Sequence, residues 1–168
     1  LLQRQSAGRP IRVGLIGAGK FGSMYLAQVP RTAGVHLVGI ADLSPDAARR
    51  KLARVGWEAQ RTMAASLNQA LNDGNTHIGD DWQALVRHPA IDVIVECTGN
   101  PIAAVDHCLA AFAAGKAVVN VTVEADALCG PMLAQRAQQA GVLYSLAFGD
   151  QPALICDLVD WARTCGFP

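Results

Sequence analysis

Residues 13–22 read V-G-L-I-G-A-G-K-F-G. An apolar run leads directly into Gly17, Gly19 and Gly22, spaced G-x-G-x-x-G. Glycine loses more freedom on ordering than any other residue, so three of them right after a core strand call for a reason. An ordinary turn is one, and the spacing alone also arises by chance. The context decides. Asp42 stands 20 residues after Gly22, closing the next apolar run, V-G-I-A-D. Strand, glycines, helix and acid then follow the order of a dinucleotide-binding βαβ unit.

In that reading Gly17 permits the tight turn, Gly19 lets the backbone approach a pyrophosphate, and Gly22 lets the helix lie close to the strand. With Ala18, Lys20 and Phe21 between them, residues 17–22 form the expected phosphate cradle, lined by amide N–H groups at a helix N-terminus. The Asp42 carboxylate is expected to accept hydrogen bonds from the ribose hydroxyls and to repel a 2′-phosphate. No Arg follows it directly, since Leu43 and Ser44 come next. That leans toward NAD, with Arg49 and Arg50 read as a solvated helix face.

Working outward, short apolar runs alternate with helical segments. Ile11 to Ile16 reads as a strand, followed by a helix from Lys20 to Val29 that ends at Pro30. Val35 to Ala41 is the second strand. Ser44 and Pro45 then open a helix through Val55, as N-cap and first helical residue. Met63, Leu67 and Leu71 give 58–72 helical spacing, closed by D-G-N at 73–75. A short strand at 76–78 and a short helix capped by Asp80 or Asp81 follow. Further strands are expected at 91–97, 117–123 and 142–147. Helices are expected from Pro101 (apolar face Ile102, Val105, Leu109, Phe112), over 126–140 with a kink at Pro131, and over 151–164. Strands joined by helical crossovers and apolar throughout imply an α/β fold, a doubly wound parallel sheet.

In such a sheet, ligands bind outside the carboxyl ends of the strands. E-C-T-G-N-P at 96–101 places Thr98, Gly99 and Asn100 on the nicotinamide side. Asn120, Thr122 and Glu124 close the next strand on the same rim, and Gly149, Asp150 and Gln151 the one after. Glu124 and Asp150 are candidates for chemistry, although an N-cap or a solvated turn explains each equally well. His107, inside an apolar helix, reads as a packed core residue.

The chain has 168 residues, with 51% hydrophobic and 17% charged. Residues 1–10 read as a flexible lead-in and 11–168 as one dinucleotide-binding domain, cut before a further segment. Lys plus Arg and Asp plus Glu both number 14, with no basic face, which argues against nucleic acid. No run approaches the roughly 18 residues of a membrane span, and the N-terminus lacks a signal-peptide core. The five cysteines show no C-x-x-C and the four histidines no ligand spacing. Reduced, buried thiols in a cytoplasmic protein are expected. The expected partner is a small-molecule substrate, with homo-oligomerisation left open.

G-L-I-G-A-G-K-F-G, G-I-A-D-L-S-P, D-V-I-V-E-C-T-G-N-P, N-V-T-V-E-A-D and G-D-Q-P-A-L, from residue 11 onward, together resemble a bacterial family. Its members are the 1-deoxy-D-xylulose 5-phosphate reductoisomerase-like proteins, with a homoserine-dehydrogenase-like, Rossmann-type NAD(P)-binding domain and a SAF-type domain further along. The resemblance implies an NADPH-dependent reductoisomerase using a divalent metal and feeding isoprenoid synthesis. Asp150 is similar in place to a metal-binding aspartate of the true reductoisomerases, with Gln151-Pro152 where they carry Ser-Glu. NADPH set against the Asp42 reading leaves the cofactor as NAD(P). The main expectation is the cofactor half of an oxidoreductase that moves hydride to or from a small carbonyl or hydroxyl. A non-catalytic dinucleotide-binding module for redox sensing or assembly is the alternative, and an S-adenosylmethionine-dependent methyltransferase fits the helices and T-G-N-P less well.

Overall fold

The computed structural model describes residues 1–149 and 151–167; the side chains of 151–153 also lie outside the described set. Six strands, β1 (Ile11–Ile16), β2 (Val35–Ala41), β3 (His77–Gly79), β4 (Val93–Glu96), β5 (Ala117–Asn120) and β6 (Tyr144–Leu146), form one sheet. Their order is β3-β2-β1-β4-β5-β6, and every pairing is parallel. The winding reverses between β1 and β4, which opens a crevice at their carboxyl ends.

Helices connect the strands and flank them at both ends of the chain. They are α1 (Leu2–Ser6), α2 (Lys20–Gln28), α3 (Pro45–Arg54), α4 (Leu67–Asp73), α5 (Trp82–Arg87), α6 (Pro101–Ala113), α7 (Val123–Ala140) and α8 (Gln151–Thr164). One apolar cluster, with Leu15, Leu26, Leu37, Ile40 and Leu52, gathers under α2 and α3. A second, with Ile94, Leu85, Val118, Ala111 and Leu133, gathers under α5, α6 and α7. The sheet is therefore covered on both faces, which is why its strands are apolar throughout rather than alternating.

Several elements differ from the sequence reading, each for a local reason. The helix expected over 58–72 is two pieces, a 3-10 turn at Ala59–Thr62 and then α4. Ser66 starts the second piece by accepting from the Gln69 N–H at 3.2 Å, while Gln69 Oε1 accepts from the Ala65 N–H at 2.9 Å. This reciprocal cap overrides the helical spacing. Strand β5 stops at Asn120 because its side chain accepts from the Thr122 N–H, turning the chain two residues on. Helix α7 then begins at Val123, earlier than expected, and bends at Cys129 (φ −152°, ψ 26°) just before Pro131. Helix α6 buries Ala104, His107, Cys108, Ala111 and Phe112, whereas Ile102 is exposed. Residues Leu2–Ser6, within the expected lead-in, form an exposed turn of helix. Ser44 sits at the N-cap of α3, but its side chain makes no capping bond. Cys97 and Cys108 are buried, as expected of thiols in apolar runs, but Cys156 and Cys165 are exposed; none of the five is paired.

Candidate functional site

At the end of β1 the Gly17 N–H donates to the Ala41 carbonyl at 2.8 Å. Gly17 has φ +91°, and a Cβ there would come within 2.9 Å of the Cys97 carbonyl and of Thr98 Cα. A Cβ on Gly22 would lie 2.8 Å from the Gly17 carbonyl oxygen. Both glycines are thus demanded by the fold, because the β1–α2 turn is wedged against the chain leaving β4. Gly19 is different. Its φ is −71°, and the nearest atom to an added Cβ is 3.9 Å away. Among the described residues, nothing requires a glycine there.

Gly19 caps α2. The N–H groups of Gly19, Lys20 and Phe21 find no acceptor among the described residues. The first turn of a helix leaves such donors free and carries partial positive charge, suited to phosphate oxygens. Lys20 is exposed beside them, Phe21 half-buried and Gly22 buried. Ala18 corrects the sequence reading. Its N–H is already given to Asp42 Oδ2 at 2.8 Å, and its carbonyl accepts from Lys51 Nζ at 2.6 Å. The Ala18 amide therefore seats Asp42 instead of facing a phosphate.

Asp42 turns toward the glycine turn. Its second oxygen accepts from the Ser44 N–H at 2.8 Å. A carboxylate offers about four acceptor positions, so two remain for the hydroxyls of a sugar. Leu43, the next residue, is 100% exposed. Arg49 is engaged with Asp46 at 3.2 Å and with the Ile78 carbonyl at 3.0 Å, while Arg50 is exposed.

Across the crevice, the Cys97 thiol donates to the Gly17 carbonyl at 2.7 Å and ties β4 to the glycine turn. Burial, followed by the nearby Glu96 and Asp42 charges, pushes this thiol well above the ordinary range, so it is a donor and not a nucleophile. Thr98, Gly99 and Asn100 are exposed on the rim. Asn100 caps α6 through the N–H groups of Ile102 and Ala103, both at 3.1 Å. The Thr98 hydroxyl turns inward to Glu96 at 2.6 Å.

Asn120, expected among the cofactor contacts, is 0% exposed. Its amide donates to the Thr122 carbonyl at 3.2 Å and to the Tyr144 hydroxyl at 3.0 Å, so it braces the rim from behind. Glu124 is exposed in the first turn of α7. Asp150, the other chemical and metal candidate, lies outside the described residues. Among those described, no group of three His, Cys, Asp or Glu side chains could hold a metal ion, and no helix is long and apolar enough to cross a membrane. Two participants were missed by the sequence reading. Lys51 gave no distinctive signal. Glu96 did, as a carboxylate inside the apolar run V-I-V-E-C.

A doubly wound parallel sheet with an uncrowded glycine and free amides at the β1–α2 turn beside the switch point, and an acid directly after β2, defines an NAD(P)-binding domain of the oxidoreductase class. Residues 17–146 match the family model described as homoserine dehydrogenase, NAD binding domain, and the chain belongs to that family. Among curated proteins, none matches the chain significantly. Solved structures do. A homoserine dehydrogenase from Thiobacillus denitrificans is 26% identical with a TM-score of 0.62, over 82% of this chain and 29% of that one. An NAD-binding oxidoreductase from Klebsiella pneumoniae is 25% identical with a TM-score of 0.61, over 91% and 39%. A biliverdin reductase from Synechocystis, solved with biliverdin and NADP+, is 24% identical with a TM-score of 0.58, over 82% and 37%, and shares the fold. The chain thus spans between 29% and 39% of the length of these three relatives.

Proposed function

We propose that this chain is the cofactor-holding part of an NAD(P)-dependent oxidoreductase acting on a small carbonyl or hydroxyl compound. The observation that carries the reading is Gly19, a glycine with open space above it and no fold-imposed reason to be one. It lies among free amides at the mouth of the first crossover. In this reading the pyrophosphate rests on the Gly19–Phe21 backbone, and Asp42 takes the adenosine ribose. The bound nicotinamide would supply hydride transfer. The chain's own residues bind and orient: Lys51 and Cys97 hold the turn, and Thr98 to Asn100 border the ring's side of the crevice.

The motifs at 96–101, 120–126 and 149–154 support a finer assignment, to the reductoisomerase-like proteins with a SAF-type domain and a role in isoprenoid synthesis. The substrate and any divalent ion would then be gripped mainly by the rest of that longer protein, with Asp150 a candidate ligand. Asp42 favours NADH, whereas the motif likeness favours NADPH.

Titrating the purified chain with NADH and with NADPH, following nicotinamide fluorescence, tests the reading. Saturable binding of at least one at concentrations up to about 1 mM is expected, the usual upper range for enzyme–ligand affinity. Absence of binding by both would overturn it.

A further inference from the structure

Beneath the rim lies a carboxylate that cofactor binding does not by itself explain. Glu96, the last residue of β4, is 0% exposed. Burying a charge is costly unless it is hydrogen-bonded throughout. Here donors surround it. Oε1 accepts from the Thr98 hydroxyl at 2.6 Å, the Thr98 N–H at 3.3 Å and His107 Nδ1 at 3.2 Å. Oε2 accepts from the Thr122 hydroxyl. His107, itself buried, meets the Trp82 ring edge-on at 4.5 Å between centroids, which fixes the imidazole from its other side.

The two threonines pass this anchoring outward. The Thr122 oxygen accepts from the Gly99 N–H at 3.0 Å, and the Thr98 oxygen accepts from the Asn100 N–H at 3.3 Å. Gly99 itself lies at φ +70°, in the left-handed region. Behind Thr122 stands Asn120, held by Tyr144, whose hydroxyl donates to Asp126 at 3.0 Å. The backbone of 98–100 is thus set from below by one carboxylate acting through two hydroxyls, and both of those hydroxyls face away from the crevice.

We infer that Glu96 is a positioning residue for the nicotinamide end of the dinucleotide. It fixes residues 98–100 through Thr98 and Thr122, while the glycine turn holds the diphosphate independently of it. This rests on the cofactor reading above. Its consequence is a split: disturbing Glu96 or Thr122 impairs recognition of the nicotinamide half and spares the ADP half.

The test compares NADH and ADP binding by calorimetry in the wild type and in Glu96→Gln, Thr122→Val and Thr122→Ser. Glu96→Gln turns one acceptor into a donor facing donors, and Thr122→Val removes the relay. Hydrogen bonds to a charged group are strong enough that a loss of about tenfold or more in NADH affinity is expected for both. ADP affinity should stay within about twofold, and Thr122→Ser, which keeps the hydroxyl, should restore NADH binding. A merely structural role would weaken both ligands together and would leave the ratio unchanged. If Glu96→Gln fails to fold, the Thr122 pair decides. Equal losses for NADH and ADP in Thr122→Val, or no loss for either, would overturn the inference. Wild-type protein that binds ADP but binds NADH no tighter would also overturn it, leaving the glycine turn intact. Binding of neither ligand by wild type would instead overturn the cofactor reading itself.

Discussion

The crevice has two walls built by opposite means. On the β1–β2 side the wall is main chain. Gly17 and Gly22 are bare because β4 and the turn itself press on them, and Gly19 is bare with nothing pressing on it. On the β4–β5 side the wall is side chain. Glu96, Asn120, Thr122 and His107 interlock below a rim of exposed Thr98, Gly99 and Asn100, to which the Thr98 hydroxyl ties them. The difference teaches where information about a site resides. A wall made by omitting side chains is written in local spacing. A wall made by joining side chains depends on partners brought together only by the fold, such as Tyr144, 24 residues from Asn120.

The comparison can be broken most forcefully at Gly22. A valine there must displace the Gly17 carbonyl, 2.8 Å from its Cβ, so the protein should lose more than about 3 kcal/mol of stability, in the range of severe backbone and overpacking lesions. Thermal unfolding checks it, and an unchanged melting temperature would mean the turn is not wedged against the helix as described.

Asp42→Ala sharpens the main-chain wall. Because the carboxylate also seats the Ala18 and Ser44 amides, both cofactors should bind less well. NADH should lose more, by about tenfold, the cost of a hydrogen bond to a charged group. NADPH should lose less, since its 2′-phosphate gains from removal of the charge. Parallel titrations measure the ratio; an equal loss would confine Asp42 to holding the turn.

Cys97, the joint between the walls, gives the smallest effect. Burial first, and then the Glu96 and Asp42 charges, hold its thiol protonated. Raising the pH through about 8.5, where an ordinary thiol ionises, should leave its alkylation slow while exposed Cys156 and Cys165 react faster. Mass spectrometry after timed labelling reads this directly. Rapid modification of Cys97 would mean the two walls separate readily.

These contrasts explain what the sequence made legible. The glycines, Asp42 and the alternation of apolar runs with helices are local features, and β1, β2 and α8 fall where the spacing predicts. The misreadings cluster where a polar side chain redirects the backbone. Ser66 and Gln69 cut a helix in two, and Asn120 ends β5 early and turns inward instead of toward a ligand. On α6, Phe112 is buried, Val105 and Leu109 pack against the core, and His107 is buried, as the sequence reading expects; of the four apolar positions named there, Ile102 in the first turn faces outward. Ala18 shows the same limit within the legible wall, because only the fold reveals that Asp42 claims its amide.

Gly19→Val tests the central claim most directly, with NADH or NADPH affinity and melting temperature measured on the same preparation. With 3.9 Å to the nearest neighbouring atom and an ordinary φ, the substitution should leave the melting temperature within a few degrees, as for a tolerated surface change. Cofactor affinity should fall by about a hundredfold or more, since the side chain would occupy the diphosphate's place against the backbone. Retained affinity in a folded Gly19→Val protein would contradict the account.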